Sequence, residues 1–349
     1  MKVLIALYVI IVIKFLLFFL ILSQPMILFS GGSDADFYDS YARGVDSLTS
    51  SIWPDLLRYL NEIGLYSRFS TSIFLMIIGV IVIPLLSGRL ACVKAYPSKN
   101  RIMLTLALIL SMYPTLYYYS IDIYRDVFML FLYLLGVFLL RYMINAKSSL
   151  WKFLSAIAIF TCSYWMYLFR GYLGFSFIFS FCVFIFFDFR RILLIPSVLL
   201  LLCLLNVVYF FGFFDSIMSY RELFDGVEGG SSLGIRFDSV AMFIPDFVLN
   251  LIYQLFGLHF PNLMAIFVFL FESIPFVFAL FYLVVNRKYA DPLVNFMVVF
   301  TTVYSIIWLL GNDNLGTAMR LRMYTYTSIM ICAFIVFQYK KQSYYIKPV

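Results

Sequence analysis

The chain has 349 residues, of which 64% are hydrophobic and only 12% charged, about half the charged share of a soluble globular domain. With a mean hydropathy of +0.98, a soluble fold of this size has nowhere to hide its apolar surface. The net charge of +7 follows from lysine and arginine crowding one side of a membrane, and it does not imply a nucleic-acid partner.

Runs of roughly twenty apolar residues recur along the chain, the length that crosses a ~30 Å hydrocarbon core as a helix. Alternating strand patterns are absent, and backbone groups in lipid must be satisfied within the segment. The fold class is therefore an all-α polytopic integral membrane protein. Spans are predicted at about 3–29, 69–88, 102–120, 127–144, 153–169, 172–187, 192–214, 263–286, 292–310 and 323–338, ten in all. The chain reads as one membrane domain over 1–349, with external loops at 30–68 and 215–262. Aromatic residues make up 21%, which suits helix packing and interfacial belts.

In chain order, the apolar N-terminus runs from Val3 to about Phe29 and is interrupted by Lys14. That is too long for the apolar region of a cleavable signal, so it reads as a retained first helix. The first external loop opens with Gly31-Gly32-Ser33-Asp34-Ala35-Asp36-Phe37-Tyr38, and Asp39 and Asp46 continue the acidic stretch. Asp34 and Asp36 could serve as general base toward a sugar hydroxyl, or hold a divalent cation. The plainer use is a solvated loop with an aspartate cap for a following helix.

Tyr117, Tyr118 and Tyr119 lead to Asp122, Arg125 and Asp126 at the external end of the third span. These charges either anchor the boundary, with Asp126 capping the next helix, or turn Arg125 toward an anion. Arg170-Gly171-Tyr172 occupies a hairpin too short to be fully solvated, so Arg170 pairs with a loop carboxylate or points at a phosphate.

The loop 215–262 begins polar, Asp215 to Asp238, and turns apolar from Ala241 to Leu258. Bounded by Pro245 and Pro261, that apolar piece is too short to span and is expected as a re-entrant or interface-lying helix. Its histidine, His259, is the only one in the chain. It is a general base, a phosphate contact or a structural residue. The last external turn runs from Gly311 through Asn312-Asp313-Asn314 and Thr317 to Arg320 and Arg322. There, Thr317 is the expected cap, and a helix start beside two guanidiniums suits an anion. Lys14 and Glu272 fall inside spans, where they pair with each other or line a lipid-headgroup cavity.

The basic residues set the orientation. Fifteen of the 25 Lys and Arg fall at alternate boundaries beginning with Lys2, which places both termini in the cytoplasm. The opposite face holds 15 of the 18 acidic residues. Its nine basic residues, Arg43, Arg58, Arg68, Arg125, Arg170, Arg221, Arg236, Arg320 and Arg322, are all arginine. Arginine without lysine fits groups that grip phosphate or carboxylate bidentately. Cys92, Cys162, Cys182, Cys203 and Cys332 show no metal or disulfide spacing.

Three stretches carry a resemblance. GSDADFYDSYA after the first helix resembles the first-loop acidic motif of GT-C glycosyltransferases that use lipid-phosphate sugars. YPTLYYYSIDIYRDVFMLFLYLLGVFLLRY resembles a stretch common in bacterial O-antigen and exopolysaccharide polymerases of the Wzy and EpsG-like kind, and GNDNLGTAMRLRMY is similar to a turn in the same proteins. The resemblance covers about fifty residues and implies polymerisation of undecaprenyl-diphosphate-linked repeat units at the periplasmic face of the bacterial cytoplasmic membrane. It implies Asp34 or Asp36 as the first-loop acid, with Arg125, Arg320 and Arg322 as anion contacts; Asp126 lies in the same stretch. Arg170, Arg221 and Arg236 join those contacts from the residues themselves. The base assignment stays open among Asp34, Asp36 and His259, because the loop 215–262 is modest beside the Arg- and His-rich loop of many polymerases. No cofactor or metal is then required. The partners implied are the lipid-linked oligosaccharide, the bilayer and a chain-length regulator.

The rivals are a GT-C transferase moving one sugar from a polyprenyl-phosphate donor, and a flippase or transporter for lipid-linked oligosaccharide. Transporters gather ionisable groups near the midplane, whereas here the charges crowd external loops. The expected architecture is a GT-C-like bundle with one cavity open to the outer leaflet. Its lining is expected to be Asp34, Asp36, Arg125, Arg170, Arg320 and Arg322.

Overall fold

The computed structural model describes residues 1–23, 34–46, 49, 51–93, 96–222 and 232–346. The glycine turn Gly31-Gly32-Ser33, the end of the predicted first span, Lys94 and Lys347 lie outside the described residues. Among those described, all regular structure is helical, and the one β-bridge is an isolated pair, Ser232 with Asn314.

The helices are α1 (Lys2–Ser23), α2 (Asp34–Ala42), α3 (Ile52–Glu62), α4 (Arg68–Ile77), α5 (Ile83–Ala91), α6 (Lys99–Ser111), α7 (Pro114–Tyr118), α8 (Arg125–Asn145) and α9 (Ser149–Phe169). After them come α10 (Gly171–Val183), α11 (Leu194–Phe210), α12 (Asp215–Glu222), α13 (Phe243–Asn250), α14 (Leu263–Val268), α15 (Ile274–Val285), α16 (Pro292–Gly311) and α17 (Leu315–Ile346). Three π-turns, Ile78–Val82, Leu251–Leu255 and Phe269–Ser273, run on within helices, and the first and third join α4 to α5 and α14 to α15.

Among the described residues seven helical stretches are long and apolar enough to cross a membrane: Lys2–Leu22, Arg68–Ala91, Arg125–Asn145, Ser149–Phe169, Leu263–Val285, Pro292–Gly311 and Leu315–Ser343. An eighth is formed if α11 and the start of α12, bent by 87°, count as one broken span. This is fewer than the ten predicted, and the differences have local causes. The predicted span 102–120 is broken because Pro114, which lacks an N–H and clashes with the preceding turn, starts α7 after α6 has ended at Ser111. The span 172–187 shrinks to the 13 residues of α10, about 20 Å of helix at 1.5 Å per residue. The span 192–214 stops at Phe210, where Gly212 with φ +75° turns the chain. The apolar part of the predicted loop 215–262 forms a helix over Phe243–Leu255, too short to span.

Contacts divide the chain into two compact units, Met1–Ile178 and Phe179–Val349. In the first, Phe18, Met76 and Val80 form a core with Ile11, Phe15, Tyr117 and Ile121 packed on it. Close helix approach there depends on glycine. A Cβ on Gly88 of α5 would lie 2.4 Å from the Met103 carbonyl oxygen of α6, and one on Gly174 would lie 2.4 Å from the Tyr167 nitrogen of α9. The outer face of α9, with Trp151, Phe153, Phe160 and Tyr164, is exposed, as lipid-facing surface is.

In the second unit α16 and α17 carry the core. Phe300 and Tyr304 stack at 5.3 Å, and Tyr304 meets Tyr324 edge-on. Phe276 stacks on Tyr326 at 4.1 Å. Asp291 caps α16 by accepting the Val294 N–H at 2.9 Å. Asn314, not the expected Thr317, caps α17, accepting the Thr317 N–H at 3.0 Å. Asn314 is the residue before the helix, where a side-chain oxygen reaches the third amide, whereas Thr317 already lies within the first turn.

Candidate functional site

The acidic motif of the first loop is a helix. Asp34 and Asp36 occupy the first turn of α2, where carboxylates are favoured by the helix dipole. The α2 face carrying Ala35, Tyr38, Tyr41 and Ala42 is buried. Asp34 is exposed, while Asp36 bonds Arg68 at 2.9 Å. Arg68 also grips Asp122 with Nε at 3.0 Å and with Nη2, so Asp122 serves to hold the start of α4. Asp39 accepts the Tyr66 hydroxyl at 2.7 Å and pairs with Arg43. Burial and this carboxylate push the Tyr66 phenol well above its ordinary range.

Behind α2 the ends of α8 and α9 bring their charges together. Arg170 follows the last residue of α9 and bonds Asp126 at 3.3 Å, both side chains buried. Asp126 is not the expected cap of α8. Tyr124 holds the cap position without a side-chain bond, and Asp126 lies in the first turn, bonded across to the next hairpin. Arg125 Nη1 donates to the Phe169 carbonyl at 3.3 Å, a cation at a helix C-terminus, as the dipole favours.

Tyr38 stands in the field of all these groups. Its phenol is pushed up to about 12, first by burial, with Arg125 opposing and Asp34 and Asp126 adding to it. Sequence reasoning passed over Tyr38, although its position one turn after Asp34 puts both on one helix face. Because the folded value lies above the ordinary value of 10.0, the stabilisation from the neutral phenol is complete below about pH 10 and is lost as pH rises toward 12. Tyr38→Phe is expected to lessen the fall in melting temperature between those limits. Equal falls in wild type and variant would contradict this placement of Tyr38.

In the second unit Arg221, Arg236, His259, Arg320 and Arg322 have different settings. Arg221 is buried and bonded to Asp313, to the Ile235 carbonyl at 2.7 Å and to the Asn312 carbonyl at 2.7 Å. Its guanidinium thus ties residues 232–235 to the turn between α16 and α17. Arg236 is exposed. Arg320 reaches Thr317 Oγ1 at 3.4 Å. Arg322 is buried beside Glu272 at 3.7 Å and lies over the Tyr326 ring. Glu272 is thus set against Arg322, and Lys14 Nζ lies 4.7 Å from the centroid of the Tyr117 ring.

His259 and Arg322 line one cavity of about 190 Å³ with Tyr253, Gln254, Gly257 and Asn262. The His259 ring lies 5.2 Å from that of Tyr253. Next to this cavity Asn250, Gln254 and Asn312 are buried and bonded in series.

Among the described residues Arg43, Arg68, Arg170, Arg221 and Arg322 are in ion pairs within the chain. The guanidinium fork that suits phosphate suits carboxylate equally, so the all-arginine pattern has a structural use. Among the described residues no group of three or more His, Cys, Asp or Glu could hold a metal ion. Chemically, the first unit offers an exposed carboxylate beside a buried phenol and two guanidiniums. The second offers a cavity with one histidine and one buried guanidinium. Comparison with protein-family models, with curated proteins and with solved structures finds no match for this chain.

Proposed function

We propose that this chain is a membrane glycosyltransferase that polymerises oligosaccharide repeat units carried on undecaprenyl diphosphate, at the outer face of a bacterial cytoplasmic membrane. The observation that carries the reading is the gathering of Asp34, Tyr38, Arg125, Asp126 and Arg170 at the ends of α2, α8 and α9. In the proposed reaction an acceptor hydroxyl oxygen attacks the anomeric carbon of the donor. The bond from that carbon to the diphosphate oxygen breaks, and the diphosphate leaves with the electron pair. The hydroxyl proton goes to a carboxylate.

Asp34 is assigned as that base because it lies in the exposed first turn of α2, one turn from Tyr38, while Asp36 and Arg68 position the start of α2. Arg125 is assigned to the departing diphosphate. A fixed guanidinium in a partly dry site stabilises charge as it develops, and removing one such donor costs roughly 10²–10³-fold in rate. Within the second unit Arg236 and Arg320 are anion contacts of their own in this reading, and Arg221 supports residues 232–235 and the turn before Arg320.

The test is the surface-glycan ladder of a strain deleted for the gene and complemented with wild type, Asp34→Asn, Asp36→Asn, Arg125→Ala or Arg320→Ala at matched expression. Polymerase action gives single repeats on the anchor in the deletion strain, with the ladder restored only by wild type. A full ladder lacking a side sugar would replace this reading with a single-sugar transferase, and lipid-linked units stranded on the cytoplasmic face would replace it with transport.

A further inference from the structure

Three apolar helices of the second unit share one boundary. The stretch Leu263–Val285 ends there, Pro292–Gly311 begins there, and Leu315–Ser343 ends there. Between the first two, the turn Arg287–Tyr289 packs against the end of α17. Arg287 Nη1 donates to the Val284 carbonyl at 3.3 Å and Asn286 Nδ2 to the Tyr282 carbonyl at 2.8 Å. The end of α15 is thus closed by its own neighbours.

The lysines beside it have a different setting. Lys340 Nζ lies 5.6 Å from the Tyr282 ring centroid, Lys341 Nζ 4.8 Å from that of Phe337, and Lys288 Nζ 5.1 Å from that of Tyr289. A ring face holds an ammonium in place, yet it supplies no oxygen to the three N–H donors. The described carboxylates at this boundary serve elsewhere. Asp188 pairs with Arg190 at 2.8 Å and Arg191 at 3.3 Å, and Asp291 caps α16. Lys288 and Lys341 are exposed, and Lys340 and Tyr289 are half-buried, so all four are open to a ligand.

Tyr289 reports the local field. The Ser343 hydroxyl, and after it the Lys288 and Lys340 charges, hold its phenol below the ordinary range. Groups that favour a phenolate at that point favour any anionic oxygen placed there.

We infer that Lys288, Tyr289, Lys340 and Lys341 form a site for the headgroup of an anionic phospholipid. Its phosphodiester oxygens take the Tyr289 hydroxyl and the Lys288 and Lys340 ammoniums, and Lys341 adds charge at the edge. The bilayer supplies this ligand. A lipid phosphate is already held at the depth where the three helices end, whereas salt screens a free ion at exposed ammoniums. A zwitterionic headgroup carries its own cation, which the lysines oppose. The site is independent of the polymerase reading.

Native mass spectrometry of the detergent-purified full chain, titrated with phosphatidylglycerol or phosphatidylcholine, tests this. Phosphatidylglycerol is expected to bind at least tenfold more tightly, and added inorganic phosphate is expected to leave it bound. Combining Lys288→Gln, Lys340→Gln and Lys341→Gln is expected to remove most of that preference, at roughly fivefold per cation. Tyr289→Phe, which keeps every charge, is expected to weaken phosphatidylglycerol binding roughly three- to tenfold. Lys99→Gln, Lys147→Gln and Lys152→Gln together, all exposed in other basic loops, are expected to keep the preference. Equal affinity for the two lipids would overturn the site, and displacement by inorganic phosphate would make it a soluble-anion site. Equal losses in the two triple variants, or wild-type affinity in Tyr289→Phe, would reduce it to diffuse attraction of a basic surface. Should the first triple variant fail to fold, the wild-type titrations and Tyr289→Phe decide the matter alone.

Discussion

Arg221→Ala is expected to destabilise the second unit by about 3–5 kcal/mol, the usual cost of removing one partner of a buried ion pair. Arg221 is 7% exposed and Asp313 is 2% exposed. The guanidinium reaches the carbonyls of Ile235, Leu309 and Asn312 as well as the carboxylate. Asp313 in turn accepts the Gly234 N–H at 2.8 Å, the Ile235 N–H at 3.3 Å and the Ser232 hydroxyl. Without Arg221 the carboxylate stays buried and the Ile235 carbonyl loses the guanidinium, while the Leu309 and Asn312 carbonyls are left with Asn250 and Gln254 as donors.

The loss corresponds to a fall in melting temperature of roughly 6–20 °C, at about 2–4 °C per kcal/mol for a unit of this size. Arg221→Lys keeps the charge but not the fork and is expected to fall between the two. Thermal unfolding of the purified chain in nanodiscs measures this. A wild-type melting temperature for Arg221→Ala would show that the residue does not hold the turn.

The pair Asp126 and Arg170 is expected to behave differently when changed singly and together. Their side chains are 1% and 8% exposed and 3.3 Å apart. Arg170→Met alone leaves the carboxylate buried and is expected to cost about 3–5 kcal/mol. Asp126→Leu combined with Arg170→Met removes both charges, and such replacements are often neutral or stabilising. The double variant is therefore expected to melt within a few degrees of wild type. If Arg170 and Asp126 hold Arg125 and Tyr38 for the chemistry, that stable variant still fails to restore the glycan ladder. A stable double variant with a full ladder would reduce the pair to a structural element and remove it from the proposed site.

Both cases show where the sequence stops being informative. Hydropathy is summed over neighbours along the chain, so apolar helices such as Arg125–Asn145 and Pro292–Gly311 are legible from composition alone. The same holds for the multi-pass membrane character and for the concentration of arginine and aspartate between spans. The breaks at Pro114 and Gly212 were also written in the sequence, although the apolar runs on either side hid them.

Ion pairing is not a sum over neighbours. Arg68 finds Asp122 across 54 residues and Arg221 finds Asp313 across 92, and nothing in spacing or residue type selects those partners over others. Packing decides them, because a guanidinium excluded from water must take whichever carboxylate the helix ends bring within reach. The sequence by itself determined that this protein is helical, apolar and edged with arginines. Only the tertiary structure decided which arginines are bound to carboxylates, that Tyr38 lies among the charges behind α2, and that Arg322 lines a cavity beside Glu272.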